Sequence, residues 1–329
     1  MIKILPHDKV DILSKYKQLI EETEVVKFSG KVERIVGLTI ESIGPSVKYG
    51  DMCKIRIAQG DYLHAEVVGF NRNRVILMPI GDMQGVVPGA EVYAEGKPLD
   101  VAVGEAVLGR VIDGIGKPLD GKGDILTKER YPLNGKTISP LERTVIDTPL
   151  SVGVRAIDGM LTVGRGQRIG IFSGSGVGKS TLMGMISRYT DADINIIALI
   201  GERGREVKDF VEKELDKESL KRSVVIAATS DQPPMLRLRG AFLAHSIAEY
   251  FRDKGLAVNL LMDSVTRFAM AQREVGLATG EPSATRGYPP SVFSMLPRLL
   301  ERSGTSSTGG SITGFYTVLV EGDDMNEPI

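Results

Sequence analysis

The sequence predicts an α/β fold in which a mostly parallel sheet, covered by helices on both faces, follows a small N-terminal β-barrel. Three observations support this prediction. Short β-rich runs recur between about Val25 and Ala94, apolar strands alternate with helices after about Arg155, and a glycine-rich turn joins the first of these strands to a helix. Such alternation is typical of parallel sheets, whose strands are buried on both faces.

The first segment, residues 1–24, contains one predicted amphipathic helix. Over Asp11–Glu24 five apolar side chains fall on one helical face, namely Ile12, Leu13, Tyr16, Leu19 and Ile20. Two interpretations stay open on this pattern. The face packs against the rest of the chain, or it docks a partner protein.

The second segment, residues 25–94, is predicted to be a small closed or nearly closed β-barrel. Its β-rich runs are separated by Gly, Asn and Asp turns at intervals of roughly ten residues. The predicted strands are Val32–Ile35, Lys54–Ile57, His64–Phe70 and Arg74–Pro79.

The third segment, residues 95–329, is predicted to form the sheet-and-helix domain. Its predicted strands are Arg168–Phe172, Ile194–Ile200, Ser223–Thr229, Ala257–Met262 and Ile312–Val320. The helices predicted between the first four strands are Lys179–Tyr189, Arg205–Lys221 and Met235–Lys254. Ligands of such sheets bind beyond the carboxyl ends of the strands, so functional residues are expected there.

Composition argues against several classes of protein. The net charge is −1, from 41 basic and 42 acidic side chains, which indicates no overall footprint for nucleic acid or an acidic membrane. Cys53 is the single cysteine and the three histidines are scattered, so neither a disulfide within the chain nor a Cys or His metal cluster is expected. No apolar run approaches the ~20 residues that span a bilayer, and the start lacks a secretory core. A cytosolic protein, at most peripheral to a membrane, is expected.

The glycine-rich turn after Arg168–Phe172 has the pattern of a phosphate-binding P-loop. Glycines let backbone N–H groups point inward at phosphate oxygens, and the start of the next helix adds positive potential. Lys179 supplies a charge for the β and γ phosphates, and the Ser180 hydroxyl is the expected Mg²⁺ ligand. Ser173 stands where the strict pattern has glycine. The residues predicted to bind ATP are Ser173, Gly174, Ser175, Gly176, Val177, Gly178, Lys179, Ser180 and Thr181.

Two further features predict that the bound nucleotide is hydrolysed. Asp263 ends an apolar strand and is expected to hold Mg²⁺ directly or through water, so Ser180 and Asp263 are the predicted metal ligands. Glu202 follows another strand, where a carboxylate can orient the attacking water, and the adjacent Arg203 can meet phosphate charge. The alternative for this stretch is a solvated run of charges with i,i+3 pairs. The predicted catalytic residues are Lys179, Glu202 and Arg203.

Several stretches together resemble the ATPases of flagellar and type III protein export, which are similar to the catalytic subunit of rotary ATP synthases. In the core they are IGIFSGSGVGKST (169–181), ALIGERGRE (198–206), TSDQPP (229–234), LMDSVTRFAMAQ (261–272) and EPSATRGYPPSVFSMLPR (281–298). In the barrel segment the stretch is VERIVGLTIESIGPSVKYGD (32–51). The resemblance covers nearly the whole chain.

The resemblance implies a RecA-like P-loop core that binds ATP and Mg²⁺ and assembles as a homohexameric ring. It implies that Arg267 braces Glu202 and that the N-terminal helix docks a stator or regulator protein. A central stalk protein, an export gate and export chaperone–substrate complexes are the other implied partners, at a cytoplasmic site peripheral to the inner membrane. The implied function is ATP hydrolysis that energises export by chaperone release and substrate unfolding.

The resemblance also implies that the chain is C-terminally incomplete. The family continues past Ile329 with an arginine finger, an adenine pocket and a helical domain, so weak nucleotide binding and slow hydrolysis are expected of this chain alone. Flagellar and virulence-type systems are not distinguished by the sequence.

Two other functions stay open on the sequence. One is a non-catalytic nucleotide-binding subunit of a rotary-type ring, but such subunits carry glutamine at the position of Glu202, and an amide cannot accept a proton. The other is a nucleic-acid motor, against which the near-neutral charge and the lack of an aromatic-rich basic groove both count. Glu202 therefore favours a hydrolase over a non-catalytic subunit, and the charge favours a protein with no nucleic-acid partner.

Overall fold

A computed structural model describes residues 16–17, 29–57, 60–96, 99–135, 137–174, 176–320, 324 and 326–329. The helix predicted over Asp11–Glu24 lies outside these residues apart from positions 16 and 17, so its two interpretations stay predictions. In the described part a closed β-barrel precedes a sheet covered by helices, which confirms the predicted fold class.

Six antiparallel strands close the barrel in the order β1-β2-β5-β4-β3-β6. They are β1 (Ser29–Val36), β2 (Thr39–Ile43), β3 (Met52–Arg56), β4 (Tyr62–Asn71), β5 (Arg74–Pro79) and β6 (Glu91–Ala94). Side chains such as Ile40, Ile55 and Leu77 are fully buried and form its core. β5 has its predicted bounds, and the other three predicted strands differ only at their ends.

The sequence does not predict β2 or β6, for two different reasons. β2 buries the polar residues Glu41 and Ser42, so its sequence lacks the apolar pattern by which a buried strand is recognised. Glu41 is stabilised there by ion pairs with Arg34 (2.8 Å) and Arg74 (3.3 Å). β6 has four residues and pairs with β1 and β3 at once, so contacts between distant segments determine it rather than local propensity.

Short elements connect the barrel to the core. They are β7 (Asp100–Ala102), β8 (Val111–Ile112), β9 (Arg130–Pro132), β10 (Pro149–Leu150), helix α1 (Arg155–Met160) and β11 (Val163–Gly164). β7 pairs with β9 and β10 with β11, whereas β8 joins the edge of the core sheet. The barrel itself packs directly on the core, since Met52, Met78 and Ile80 belong to the same buried apolar cluster as Met235 and Ile247.

The core is a seven-stranded sheet with the order β12-β17-β15-β13-β14-β8, in which β16 pairs beside β17. The strands not yet given are β12 (Arg168–Ser173), β13 (Ile194–Ile200), β14 (Ser223–Ala228), β15 (Ala257–Asp263), β16 (Gly304–Thr305) and β17 (Ser311–Leu319). Every ladder except that of β16 is parallel. Parallel neighbours need crossover connections, which the helices provide.

In the described part of the core, six α-helices cover the sheet. They are α2 (Lys179–Tyr189), α3 (Gly204–Asp209), α4 (Lys217–Lys221), α5 (Pro234–Asp253), α6 (Val265–Ala278) and α7 (Pro290–Leu300). α5 and α6 bury Ile247 and Phe268 against one face of the sheet, and α2 buries Met183 and Ile186 against the other. Among the residues that the structure describes, no helix is both long and apolar enough to cross a bilayer.

The single helix predicted over Arg205–Lys221 is wrong. α3 ends at Asp209, a π-helical turn follows over Phe210–Glu214, and α4 begins after Asp216. The Asp216 carboxylate accepts a hydrogen bond from the Ser219 N–H (2.7 Å), and the Ser219 hydroxyl accepts one from the Asp216 N–H (3.1 Å). This reciprocal cap starts a new helix. Phe210 and Leu215 are both buried across the break, so the apolar pattern alone resembles one continuous helix.

Candidate active site

The P-loop joins β12 to α2 at the carboxyl edge of the sheet. β12 ends at Ser173 and α2 begins at Lys179, while Ser175 lies outside the described residues. Gly176 and Gly178 have φ angles of +78° and +96°, in the left-handed region where other residues are strained. A Cβ at either position would have open space around it. Backbone conformation, not crowding, therefore requires glycine at these two positions.

The first turn of α2 leaves backbone donors available to an anion. The Leu182 N–H donates to the Gly178 carbonyl (3.0 Å), so the amides of Lys179, Ser180 and Thr181 precede the first intrahelical bond. Such a helix start binds phosphate well. The Thr181 hydroxyl donates to Glu214 Oε1 (3.2 Å), whereas no described residue hydrogen-bonds the exposed Ser180 hydroxyl. Of the two hydroxyls, Ser180 is the one left free for a ligand.

Ser173, the departure from the strict P-loop pattern, is attached to the neighbouring strand. Its carbonyl accepts a hydrogen bond from the Val320 N–H (3.1 Å), just past the end of β17. Its hydroxyl oxygen is buried and has no hydrogen-bond partner among the described residues. The start of the P-loop is therefore aligned with the carboxyl end of β17.

Asp263 is the last residue of β15 and is only 4% exposed. Its Oδ1 accepts a hydrogen bond from the Thr317 hydroxyl on β17 (2.6 Å). Asp263 has the same strand parity as Leu261, which packs in the cluster that contains Met183 of α2. The carboxylate therefore lies on the face of the sheet that the P-loop helix covers. Sequence reasoning missed Thr317, because only the pairing of β15 with β17 brings it beside Asp263.

Asp263 and Ser180 suit a hard cation such as Mg²⁺. Both present oxygen atoms, and Asp263 Oδ2 has no hydrogen-bond partner among the described residues. The described residues contain no group of three or more His, Cys, Asp or Glu side chains that could hold a metal ion. Mg²⁺ in nucleotide sites needs no such cage, because one or two protein oxygens suffice beside phosphates and water.

Glu202 follows β13 after one intervening residue, Gly201, in a half-buried position beside two other carboxylates. Burial raises the pKa of Glu202 from 4.5 to about 8; a hydrogen bond with the Glu206 side chain and the charges of Asp263 and Glu206 add to this shift, while Arg267 opposes it. A carboxyl group whose pKa lies near neutrality is well matched to accepting a proton from water. The three carboxylates and Arg267 come from two segments, residues 202–206 and 263–267, which lie more than 50 residues apart in the sequence.

Arg267 packs closely beneath the turn that presents Glu202. Gly201 has a φ of +73°, and a Cβ there would lie 2.6 Å from the Arg267 Cβ. Within the described chain no hydrogen bond joins Arg267 to Glu202, and the buried Arg267 Nε has no hydrogen-bond partner. Arg267 is therefore near Glu202 as a charge, and the implied bracing of Glu202 by Arg267 stays a prediction. Arg203 is exposed, and its Nη1 lies 3.7 Å from Glu206 Oε1.

The raised pKa of Glu202 predicts how stability depends on pH. Because the folded protein keeps a proton that the unfolded chain releases above its ordinary pKa of 4.5, the stabilisation linked to Glu202 is complete below that pH and is lost as the pH rises to about 8. We expect a neutral Glu202→Gln variant to gain thermal stability over the wild type progressively between about pH 5 and pH 9. Thermal melts of the nucleotide-free protein in EDTA measure this difference.

Glu212→Gln is the matched control for those melts, because Glu212 is exposed and pairs only loosely with Lys208 (3.8 Å). Its melting temperature is expected to follow the wild type at every pH. A Glu202→Gln difference that does not change with pH would contradict the raised pKa.

Comparisons with known proteins identify the family to which the chain belongs. Residues 153–329 match the ATP synthase alpha/beta family, nucleotide-binding domain, and residues 32–96 match the beta-barrel domain of the same family. The flagellum-specific ATP synthase of Bacillus subtilis is 57% identical over 314 residues, which are 94% of this chain and 71% of that protein. The type 3 secretion system ATPase of Xanthomonas euvesicatoria is 52% identical over 301 residues, which are 91% of this chain and 68% of that protein.

Solved structures of type III secretion ATPases also resemble this chain. The assembled ATPase EscN of the enteropathogenic E. coli type III secretion system superposes with a TM-score of 0.85 at 48% identity, covering 91% of this chain and 72% of that one. EscN in complex with its central stalk EscO gives a TM-score of 0.82 at 48% identity, and the match covers 88% of this chain and 71% of that one. The chain therefore belongs to the ATP synthase alpha/beta family, among its flagellum-specific and type III secretion ATPases.

Proposed function

We propose that this chain hydrolyses ATP and that the reaction energises protein export through a flagellar or type III secretion apparatus. The observation that supports it best is the common location of the P-loop, Asp263 and Glu202 at one edge of the sheet. The relatives named flagellum-specific ATP synthase and type 3 secretion system ATPase support the export role.

In the proposed reaction each group has a separate task. The amides of the P-loop and the Lys179 ammonium bind the β and γ phosphates and stabilise the charge that develops on them. Glu202 orients a water molecule in line with the γ phosphate and accepts a proton from that water. The Arg203 guanidinium stabilises the negative charge of the phosphates. Ser180 and Asp263 would hold Mg²⁺, which supplies charge neutralisation between the β and γ phosphates.

The proposed assembly is a homohexameric ring. The neighbouring structures are described as an assembled ATPase and as its complex with a central stalk, and we extend both features to this chain. A stator or regulator at the N-terminal helix, an export gate and chaperone–substrate complexes are the other proposed partners. The proposed location is cytoplasmic and peripheral to the inner membrane.

A chimera tests the export role directly. The aligned part of the Bacillus subtilis flagellum-specific ATP synthase is replaced by this chain, and swimming in soft agar is measured in cells that lack the native protein. We expect the chimera to restore swimming. A Lys179→Gln chimera is expected to be non-motile, with phosphate release reduced roughly 10²–10³-fold, because the phosphate charge loses its lysine partner.

Lys208→Gln is the control, since Lys208 is an exposed residue of α3. It is expected to swim and hydrolyse ATP as the unmodified chimera does. A chimera that hydrolyses ATP but does not swim would contradict the export role, and one that is folded but releases no phosphate would contradict the ATPase role.

A further inference from the structure

Among the residues that the structure describes, the Thr317 hydroxyl is the group that hydrogen-bonds the Asp263 carboxylate. Thr317 is fully buried on β17, the strand that lies between β12, which leads into the P-loop, and β15, which ends at Asp263. Its Oγ1 is 2.6 Å from Asp263 Oδ1 and 3.3 Å from the Met262 carbonyl oxygen. Since a hydroxyl has one proton to donate, and bonds to a charged acceptor are the shorter and stronger ones, the proton belongs to the carboxylate bond.

This contact determines how the carboxylate is presented. Thr317 is β-branched, so its χ1 angle has few alternatives in a packed strand. With Oδ1 bonded to Thr317, Asp263 Oδ2 is the oxygen without a partner among the described residues. Within the part of the chain that the structure describes, the Thr317 hydroxyl is the donor to Asp263 and therefore the group that orients its carboxylate.

We propose that Thr317 is a positioning residue for the Mg²⁺ site, which it serves by orienting Asp263 so that Oδ2 is available to the ion or to a water molecule bound to it. The proposal rests on the proposed function, because it assigns Asp263 to Mg²⁺. Partners that orient a metal-binding carboxylate change metal affinity by roughly 10–100-fold when they are removed.

The same strand supplies a matched control. Thr313 lies four residues before Thr317, on the same face of β17, and is 2% exposed. Its hydroxyl accepts a hydrogen bond from the Gly166 N–H (2.9 Å), a contact at the opposite end of the strand from Asp263. Replacing either threonine by valine removes one buried hydroxyl from the same strand, so a purely structural effect should be similar for both.

The experiment measures the affinity of the full chain for a fluorescent ATP analogue, with Mg²⁺ and in EDTA. The Mg²⁺-dependent gain in affinity is expected to fall roughly 10-fold in Thr317→Val and to stay within about 2-fold of the wild type in Thr317→Ser, which keeps the hydroxyl. Affinity in EDTA is expected to be unchanged in both variants. Thr313→Val is expected to keep the full Mg²⁺-dependent gain even if its melting temperature falls.

An Asp263→Asn variant separates failure of this proposal from failure of the proposed function. If Asp263→Asn keeps the Mg²⁺-dependent gain in affinity, the proposed metal site is wrong, and the proposed role of Thr317 is then wrong too. If Asp263→Asn loses the gain and Thr317→Val keeps it, only the positioning role is wrong. Equal losses in Thr317→Val and Thr313→Val also overturn that role. Should Thr317→Val fail to fold, Thr317→Cys, with its similar size and weak S–H donor, is expected to show the loss.

Discussion

The Glu202→Gln variant is expected to bind ATP as the wild type does and to release phosphate roughly 10²–10⁴-fold more slowly. Glutamine has nearly the shape of glutamate, so the fold of the turn after β13 should be preserved. It cannot accept a proton, and it has no charge with which to orient the attacking water. Binding should persist because the proposed phosphate site is the P-loop, which the substitution does not touch.

Steady-state phosphate release and the affinity for a fluorescent ATP analogue separate the two effects. Glu212→Gln is again the control, because its side chain is exposed on the surface beyond α3. Glu206→Gln is expected to lower turnover less than Glu202→Gln, since Glu206 is exposed and acts on Glu202 as a neighbouring carboxyl group. Unchanged turnover in Glu202→Gln would contradict the catalytic role of Glu202, whereas a wild type that binds ATP but releases no phosphate would support a non-catalytic nucleotide-binding subunit.

A Glu249→Gln substitution is expected to cost about 3–5 kcal/mol of the free energy of unfolding. Glu249 and Arg302 form a bidentate pair, in which Nε donates to Oε1 and Nη2 to Oε2, both at 2.7 Å. Both side chains are buried, 2% and 3% exposed. Removing the negative charge leaves a guanidinium ion buried without its counter-ion, which costs far more than the pair contributes by itself.

Arg302 also bonds the Leu133 carbonyl (3.0 Å) and the Ser246 hydroxyl (2.9 Å), so it joins α5 to the segment after β9. For a chain of this size the loss corresponds to a fall in melting temperature of roughly 5–10 °C. Glu218→Gln is the control, because its pair with Lys221 (2.7 Å) is largely exposed and is expected to contribute less than about 0.5 kcal/mol. A melting temperature for Glu249→Gln within about 1 °C of the wild type would show that Arg302 finds compensation elsewhere.

Much of the fold can be predicted from sequence where the determinants are local. The strand Ile194–Ile200, the helix Lys179–Tyr189 and the barrel strand Arg74–Pro79 have the predicted bounds. Each is a continuous apolar or periodic run that ends at a turn, so its own residues specify it. The break at Leu215 and Asp216 and the four-residue strand β6 are not predictable in this way, because capping and pairing with distant strands determine them.

Some features of the candidate active site can likewise be predicted from the sequence, whereas others depend on the tertiary structure. The sequence by itself determined the P-loop, since the left-handed conformations at Gly176 and Gly178 and the start of α2 are properties of one short segment. It also indicated Glu202 and Asp263 as carboxylates at strand ends. Only the tertiary structure decided that Glu202, Glu206, Asp263 and Arg267 share one electrostatic environment, and that the Thr317 hydroxyl donates to Asp263. Those contacts depend on the parallel order of β13, β15 and β17, which arises from packing between segments distant in the chain.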